Sequence, residues 1–111
     1  MDVINRSVMV IKPLEPYYDW ITTLAGPINP TKEMMEASVL LIPDHIYPSG
    51  IEAYIRHVFA HVFTIQLESL SPDVNEWPQG RDYALFRQWF HVDVHPLVLD
   101  AVAEDIRKEP Y

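Results

Sequence analysis

The chain has 111 residues, of which 49% are hydrophobic and 22% charged, a composition typical of one folded domain and too apolar for a disordered segment. It contains no cysteine, which excludes a disulfide framework, a thiolate metal site and a cysteine nucleophile. The formal net charge is −8 and the basic residues are scattered from Arg6 to Lys108, so nucleic acids and anionic membranes are poor partners.

The first half of the chain predicts two buried strands joined by a helix. Residues 7–12 (SVMVIK) and 38–42 (SVLLI) are apolar at successive positions, as in strands covered on both faces. Pro16 suits the first turn of the intervening helix, whose apolar residues at helical spacing are Tyr17, Trp20, Ile21 and Leu24. Gly26 marks its end, and Thr31 could cap a single turn beyond it. A helical crossover between two such strands predicts a parallel pair with a right-handed connection.

A long helix and a shorter aromatic helix are predicted next. Ser49 and Glu52 have the spacing of a capping box, and the helix that they begin closes before Pro72. Its predicted buried stripe consists of Ile51, Ile55, Val58, Val62 and Ile65. Asp82 is a suitable cap for the following helix, which carries Leu85, Phe86, Trp89 and Phe90.

The last predicted element is a strand over residues 91–95. Val92 and Val94 alternate with polar residues there, which is typical of a half-exposed strand. Pro96 confines the strand to an edge or a bulge. Two helices between the second and third strands return the chain in the opposite sense, so we expect the third strand to lie antiparallel at an edge.

These elements predict a single α/β (α+β) domain over residues 1–111. The expected order is β-α-β-α-α-β, with a small mixed three-stranded sheet covered by helices and with residues 1–5 and 104–111 as flexible termini. The apolar runs are far shorter than the roughly 20 residues of a membrane span, and the N-terminus lacks the features of a secretory signal. We therefore expect a cytoplasmic protein.

The sharpest candidate for chemistry is the alternating strand. His91, Asp93 and His95 share one face of it, about 7 Å apart stepwise. Imidazole and carboxylate ligands suit a divalent transition metal, and a catalytic site needs three of them and an open position. The outer histidines are, however, too far apart to bind one ion without bending the strand. Polar residues that protect an edge strand from pairing explain the same pattern without a metal.

A second candidate lies on the long helix. His57 and His61 are one turn apart and can chelate a metal from one helix face. Metalloproteases with this spacing place a glutamate directly after the first histidine, whereas this chain has Val58 there. A polar stripe beside the buried face of an amphipathic helix is the alternative.

The third candidate is aromatic. Trp77, Arg81 and Trp89 are residue types that anchor protein interfaces. Trp77 lies beside Pro78 in a connecting segment, so we expect it to be the exposed anchor, whereas Phe86 and Phe90 are expected in the core.

Four segments and the strand after them carry a resemblance. NRSVMVIKP, YYDWI, VLLIPD and WPQGRDYALFRQWF together resemble a family of short bacterial proteins of unassigned function, about 100 residues long. The likeness covers about residues 5–100, and its most recognisable part is the Trp77-Pro78, Arg81, Phe86, Trp89-Phe90 pattern. It implies a bacterial cytoplasmic protein and assigns no catalytic residue.

Two functional hypotheses follow. The first is a non-enzymatic interaction module that binds a protein partner or a second copy of itself, either around Trp77 and Arg81 or by adding a strand beside the third strand. The second is a metal-dependent hydrolase that uses His91, Asp93 and His95, with His57 and His61 as alternative ligands.

Overall fold

The computed structural model describes residues 1–24 and 36–111. Within them lie five strands, three α-helices and one 3-10 turn. In chain order they are β1 (Asp2–Val3), β2 (Arg6–Pro13), α1 (Glu15–Thr22), β3 (Ser38–Pro43), α2 (Ile51–Glu68), the 3-10 turn Val74–Glu76, α3 (Tyr83–Trp89), β4 (Phe90–His95) and β5 (Leu99–Asp100). The mixed α+β class is confirmed. The order β-α-β-α-α-β holds for the longer elements, to which the short β1 and β5 are added. The helix end expected at Gly26 and the turn expected at Thr31 lie outside the described residues.

The three longer strands form one sheet in the order β3-β2-β4. Met9, in the middle of β2, lies opposite Leu40 of β3 on one side and Val94 of β4 on the other. The predicted antiparallel position of the last strand at an edge is confirmed. The positions of β2 at the centre and β4 at the rim leave a complete side of β4 without a neighbouring strand among the described residues.

The predicted parallel pairing of the first two long strands is wrong. β2 and β3 are antiparallel, with Ser38 opposite Ile11 and Pro43 opposite Arg6, so the sheet is antiparallel throughout and not mixed. The rule that predicts a parallel pair assumes a crossover helix that returns the chain along the length of the first strand. The eight residues of α1 span about 12 Å and the eight of β2 about 26 Å, so α1 alone does not make this return. Ser38 begins β3 beside the end of β2.

One face of the sheet is open, which the sequence analysis did not predict. In β2, Met9 and Ile11 are buried against the helices, whereas Val8 and Val10 on the other face are partly exposed. In β3, Val39 is 61% exposed and Leu41 47%. The apolar run of β3 thus belongs to an edge strand with one uncovered face.

Aromatic rings fill the space between the sheet and the helices. Phe63 of α2 lies with its ring centroid 5.6 Å from that of Trp89 and 5.7 Å from that of Phe90, and Tyr17 of α1 lies 5.1 Å from Phe90. Ring pairs at such separations contribute about 0.5–1.5 kcal/mol beyond the burial of their area. Phe90 is fully buried although it belongs to β4, so this cluster anchors the start of that strand.

The two predicted helix caps differ in outcome. Asp82 caps α3, since its carboxylate accepts a hydrogen bond of 2.8 Å from the main-chain N–H of Leu85. The capping box of Ser49 and Glu52 is wrong: α2 begins after Gly50 without a side-chain cap. The carboxylate of Glu52 instead accepts a hydrogen bond of 2.7 Å from the hydroxyl of Tyr83, a tertiary contact that competes with the local one.

Helix α2 buries a broader stripe than the one predicted. Ile55 and Val62 are buried as expected, and Phe63 and Leu67 join them. The other predicted members, Ile51, Val58 and Ile65, are partly buried. The stripe extends toward α3, because the ring of Phe63 packs against the rings of Phe86 and Trp89.

The two ends of the chain meet beside the sheet. Asp2–Val3 pairs antiparallel with Leu99–Asp100, so part of the expected flexible N-terminus forms a short ladder. Residues 104–111 have no regular secondary structure and are exposed. Across the described residues, no helix combines the length and the apolar character that crossing a bilayer requires.

Candidate functional site

The exposed face of β4 carries the three polar residues that the sequence singles out. His91, Asp93 and His95 all point to the open face of the sheet, as the alternation predicts. The Nε2 atom of His91 lies 3.0 Å from Oδ1 of Asp93, and both side chains are about half exposed. His95 is two residues further along the strand and makes no contact of this kind within the described part of the chain.

A single copy of the chain therefore does not assemble the predicted three-ligand metal site. No group of three His, Asp or Glu side chains in residues 1–24 and 36–111 is placed to hold one ion. β4 is regularly paired with β2 along its length, so it does not bend and its outer histidines stay about 13 Å apart. What remains within one chain is the two-donor pair His91 and Asp93.

The hydrogen-bond ladder with β2 determines which main-chain N–H and C=O groups of β4 point outward. Just beyond that ladder, the N–H of Leu14 donates a hydrogen bond of 2.8 Å to the carbonyl of Trp89. Leu14 and Trp89 continue the register in which Lys12 faces His91. Because hydrogen-bonded pairs alternate along an antiparallel ladder, the N–H and C=O groups of Val92 and Val94 point away from β2.

The N–H of Phe90, two residues before Val92, also points away from β2. It donates a hydrogen bond to the carbonyl of Phe86 as the cap of α3. No backbone hydrogen bond to Val92 or Val94 is formed on this side by the described residues. The outer edge of β4, defined by the main chains of Val92 and Val94, is open.

The opposite edge of the sheet is flanked by the C-terminal segment. Leu41 of β3 and Ile106 line one surface depression, and Val39 and Tyr111 line another. Parts of the C-terminal segment therefore lie near the β3 side of the sheet.

The helix-free face of the sheet is divided into an apolar and a polar half. Across it, Val39 and Val10 are in register with Asp93, and Leu41 and Val8 are in register with His95. At the end of this face, Lys12 lies opposite His91. The polar half coincides with the open edge of β4.

The two tryptophans among the predicted interface anchors are part of the core. Trp77 is only 9% exposed, and its indole N–H donates a hydrogen bond of 2.9 Å to the carbonyl of Ser71. The expectation that Trp77 is exposed is wrong, because the turn Val74–Glu76 folds the connecting segment back onto the body of the domain. The indole N–H of Trp20 donates to the carbonyl of Glu76 over 2.8 Å and holds this turn in place.

The other two residues of that prediction are arranged around Trp77 and the core. Arg81 lies with its guanidinium carbon 5.4 Å from the ring centroid of Trp77, and its Nη1 donates to the carbonyl of Pro78. Trp89 is 8% exposed and packs against Trp20 and Tyr17. Trp77 and Trp89 thus serve packing, and Arg81 covers the Trp77 ring from the solvent side.

The histidines on α2 are exposed and separate from the β4 site. His57 and His61 lie on the solvent side of the helix, and the ring of His57 is 6.5 Å from that of Tyr54. The absence of any three-ligand group in the described residues applies to this pair as well.

Sequence reasoning missed the main-chain groups of Val92 and Val94 as part of the site. Side-chain alternation identifies which residues share a face, but the direction of each N–H depends on the register with β2. The one available signal was Pro96, which excludes a central strand.

Searches of known protein families, of curated proteins and of solved structures found no match to this chain.

Proposed function

We propose that the protein is a non-enzymatic interaction module whose partner adds a strand to the open edge of β4. The observation that carries this proposal is the pair of outward-facing peptide groups at Val92 and Val94, with no neighbouring strand beside them among the described residues. Addition of a strand to such an edge is an established mode of peptide and protein recognition.

The construction of β4 supports this mode of binding. The side chains of Val92 and Val94 pack against the core, which holds the strand rigid. The side chains of His91, Asp93 and His95 remain exposed and available to a neighbouring strand. Main-chain hydrogen bonds would supply affinity, and these three side chains would supply specificity. The net charge of −8 favours a basic or neutral partner, and an acidic one only where cations compensate the charge.

The alternatives from the sequence have less support. An interface around Trp77 needs an exposed indole, and this indole is buried. A metal-dependent hydrolase needs three protein ligands, and one chain offers the His91 and Asp93 pair alone at this site. A bacterial origin and a cytoplasmic location remain predictions from the sequence resemblance.

The test is a proline on the open edge. Val92→Pro removes an N–H that points away from β2, so the ladder with β2 is kept while a strand on the outer side loses a donor. Val92→Ala is the matched control, because it removes the same side-chain packing and keeps the N–H. Both variants are checked for folding by circular dichroism before use.

The readout is the protein that copurifies with each variant from its native host. We expect Val92→Ala to retain the partner and Val92→Pro to recover at least tenfold less of it. In the purified complex, the amide protons of Val92 and Val94 should exchange much more slowly than in the free chain. Equal recovery by the two variants, or fast exchange at both amides in the complex, would refute strand addition at β4.

A further inference from the structure

The sequence of β4 is its own reverse around Asp93. HVDVH, residues 91–95, reads the same in both directions, and two copies of a strand related by a twofold axis perpendicular to it run antiparallel. A twofold axis at Asp93 would therefore place the outward peptide groups of Val92 opposite those of Val94 of the partner subunit. Both are the groups that point away from β2, so the hydrogen-bonded positions of two copies match.

The same register brings the two histidines together. His91 would face His95 of the partner subunit at a non-hydrogen-bonded position, where the Cα atoms of an antiparallel pair are about 4.5 Å apart. Within one chain the two histidines are about 13 Å apart along the strand. A second copy thus removes the obstacle that prevents one chain from forming the site.

Two of the donors are already spaced for one ion. The Nε2 atom of His91 and Oδ1 of Asp93 are 3.0 Å apart. Two donors bound tetrahedrally to Zn²⁺ at about 2.0–2.1 Å are separated by about 3.3 Å. The distance between the two atoms thus suits one ion, and binding it requires the two side chains to rotate so that Nε2, which is directed at Oδ1 in the single chain, turns toward the ion. The missing third ligand is the imidazole that the partner subunit's His95 would supply.

Electrostatics makes the ion a requirement of this register. Without it, Asp93 would face Asp93 of the partner subunit across the axis, and like charges directly opposite each other are destabilising. A divalent cation on each side of the axis would compensate both carboxylates. The total charge of −8 on each chain opposes close approach of two copies, which adds to the need for cations.

We propose that the strand added to β4 is the β4 of a second copy of this chain, and that two divalent transition-metal ions such as Zn²⁺ bridge the two subunits. Each ion is bound by His91 and Asp93 of one subunit and by His95 of the partner subunit, with a water molecule in the fourth position. This inference rests on the proposed function, because it names the occupant of the same edge. The ion joins the two subunits, and the site is incomplete in a single chain.

The first measurement is the mass of the untagged full-length protein in solution, with zinc chloride and with a chelator. Zinc is expected to convert a monomer into a particle of twice the mass, and the chelator should reverse this. The His61→Gln variant, in which the separate histidine pair on α2 is broken, should dimerise equally and bind one zinc per chain. A monomer in zinc, or a dimer that persists in the chelator, would overturn the metal-bridged pair.

The decisive measurement is a mixture of two variants. His91→Gln and His95→Gln should each remain monomeric in zinc, because every site in a uniform dimer lacks one imidazole. Mixed together they restore one complete site, so the mixture should form a heterodimer that binds one zinc for two chains. His91 and His95 are exposed on β4, so neither change disturbs the core. A mixture that stays monomeric while the unmodified chain dimerises would refute the sharing of ligands between subunits.

These outcomes are separable from those of the strand-addition test. A chain that stays monomeric in zinc, yet loses its copurifying partner on Val92→Pro, would overturn the inference and leave the proposed function in place. A chain that shows neither behaviour would overturn both.

Discussion

The hydroxyl of Tyr17 donates a hydrogen bond of 2.8 Å to the main-chain carbonyl of Gln66, which ties α1 to the last turn of α2. Tyr17 is 1% exposed, and its ring also contacts Trp89 and Phe90. Burial raises the pKa of this hydroxyl to about 12, with a smaller lowering by the hydrogen bond with Ser69. One residue therefore couples the packing of two helices to the alkaline stability of the domain.

The raised pKa predicts a loss of stability at alkaline pH. In the unfolded chain Tyr17 ionises with a pKa near 10, whereas in the folded chain it stays neutral up to about 12. Its contribution is therefore complete below pH 10 and is lost as pH rises from 10 to 12, by about 3 kcal/mol. Tyr17→Phe should flatten this part of the pH profile of urea unfolding, although it costs about 1 kcal/mol at pH 7. Tyr18→Phe, at an exposed neighbour, should leave the slope unchanged; an equal slope in the Tyr17→Phe protein would disprove the assignment.

The cap of α3 predicts a difference between two small substitutions. Asp82→Ala removes the acceptor for the N–H of Leu85 and should lower the free energy of unfolding by about 1 kcal/mol. Asp82→Asn keeps an acceptor oxygen at this position and should lose little. Denaturant unfolding at neutral pH measures both, and the prediction is wrong if the two variants are equally stable.

Burial of Trp77 predicts that its removal affects folding before it affects binding. Trp77→Ala empties a core position and leaves the carbonyl of Ser71 without its indole partner, so we expect a loss of about 3–5 kcal/mol. Arg81→Ala removes a cation over the ring and should cost less than about 1 kcal/mol. Thermal unfolding of the two variants measures both losses. A Trp77→Ala protein as stable as the unmodified chain would contradict the structural role of Trp77 and support its role as a surface anchor.

The aromatic cluster predicts a graded response along α2. Phe63 is 1% exposed and contacts Phe86, Trp89 and Phe90, so Phe63→Ala should destabilise the domain by about 3–5 kcal/mol. Phe59→Ala, one turn earlier at a partly buried position, should cost clearly less. Similar losses in the two variants would show that the cluster has no centre at Phe63.

Much of the candidate site could be predicted because it depends on local patterns. Strict alternation placed His91, Asp93 and His95 on one face, and Pro96 indicated an edge. The proximity of His91 to Asp93 and the outward direction of the Val92 peptide could not be predicted, since they depend on rotamers and on the register with β2. The burial of Trp77 was missed for a related reason: it depends on a turn that is held by Trp20, 56 positions away from its acceptor Glu76.

The sequence by itself determined which segments form the longer strands and helices and which side chains share a face, because periodicity and end signals act over a few residues. Only the tertiary structure decided that Ser38 begins β3 beside the end of β2, and hence that the sheet is antiparallel and has one open face. Strand direction depends on contacts between residues that are far apart in the chain, and no short window of the sequence contains them.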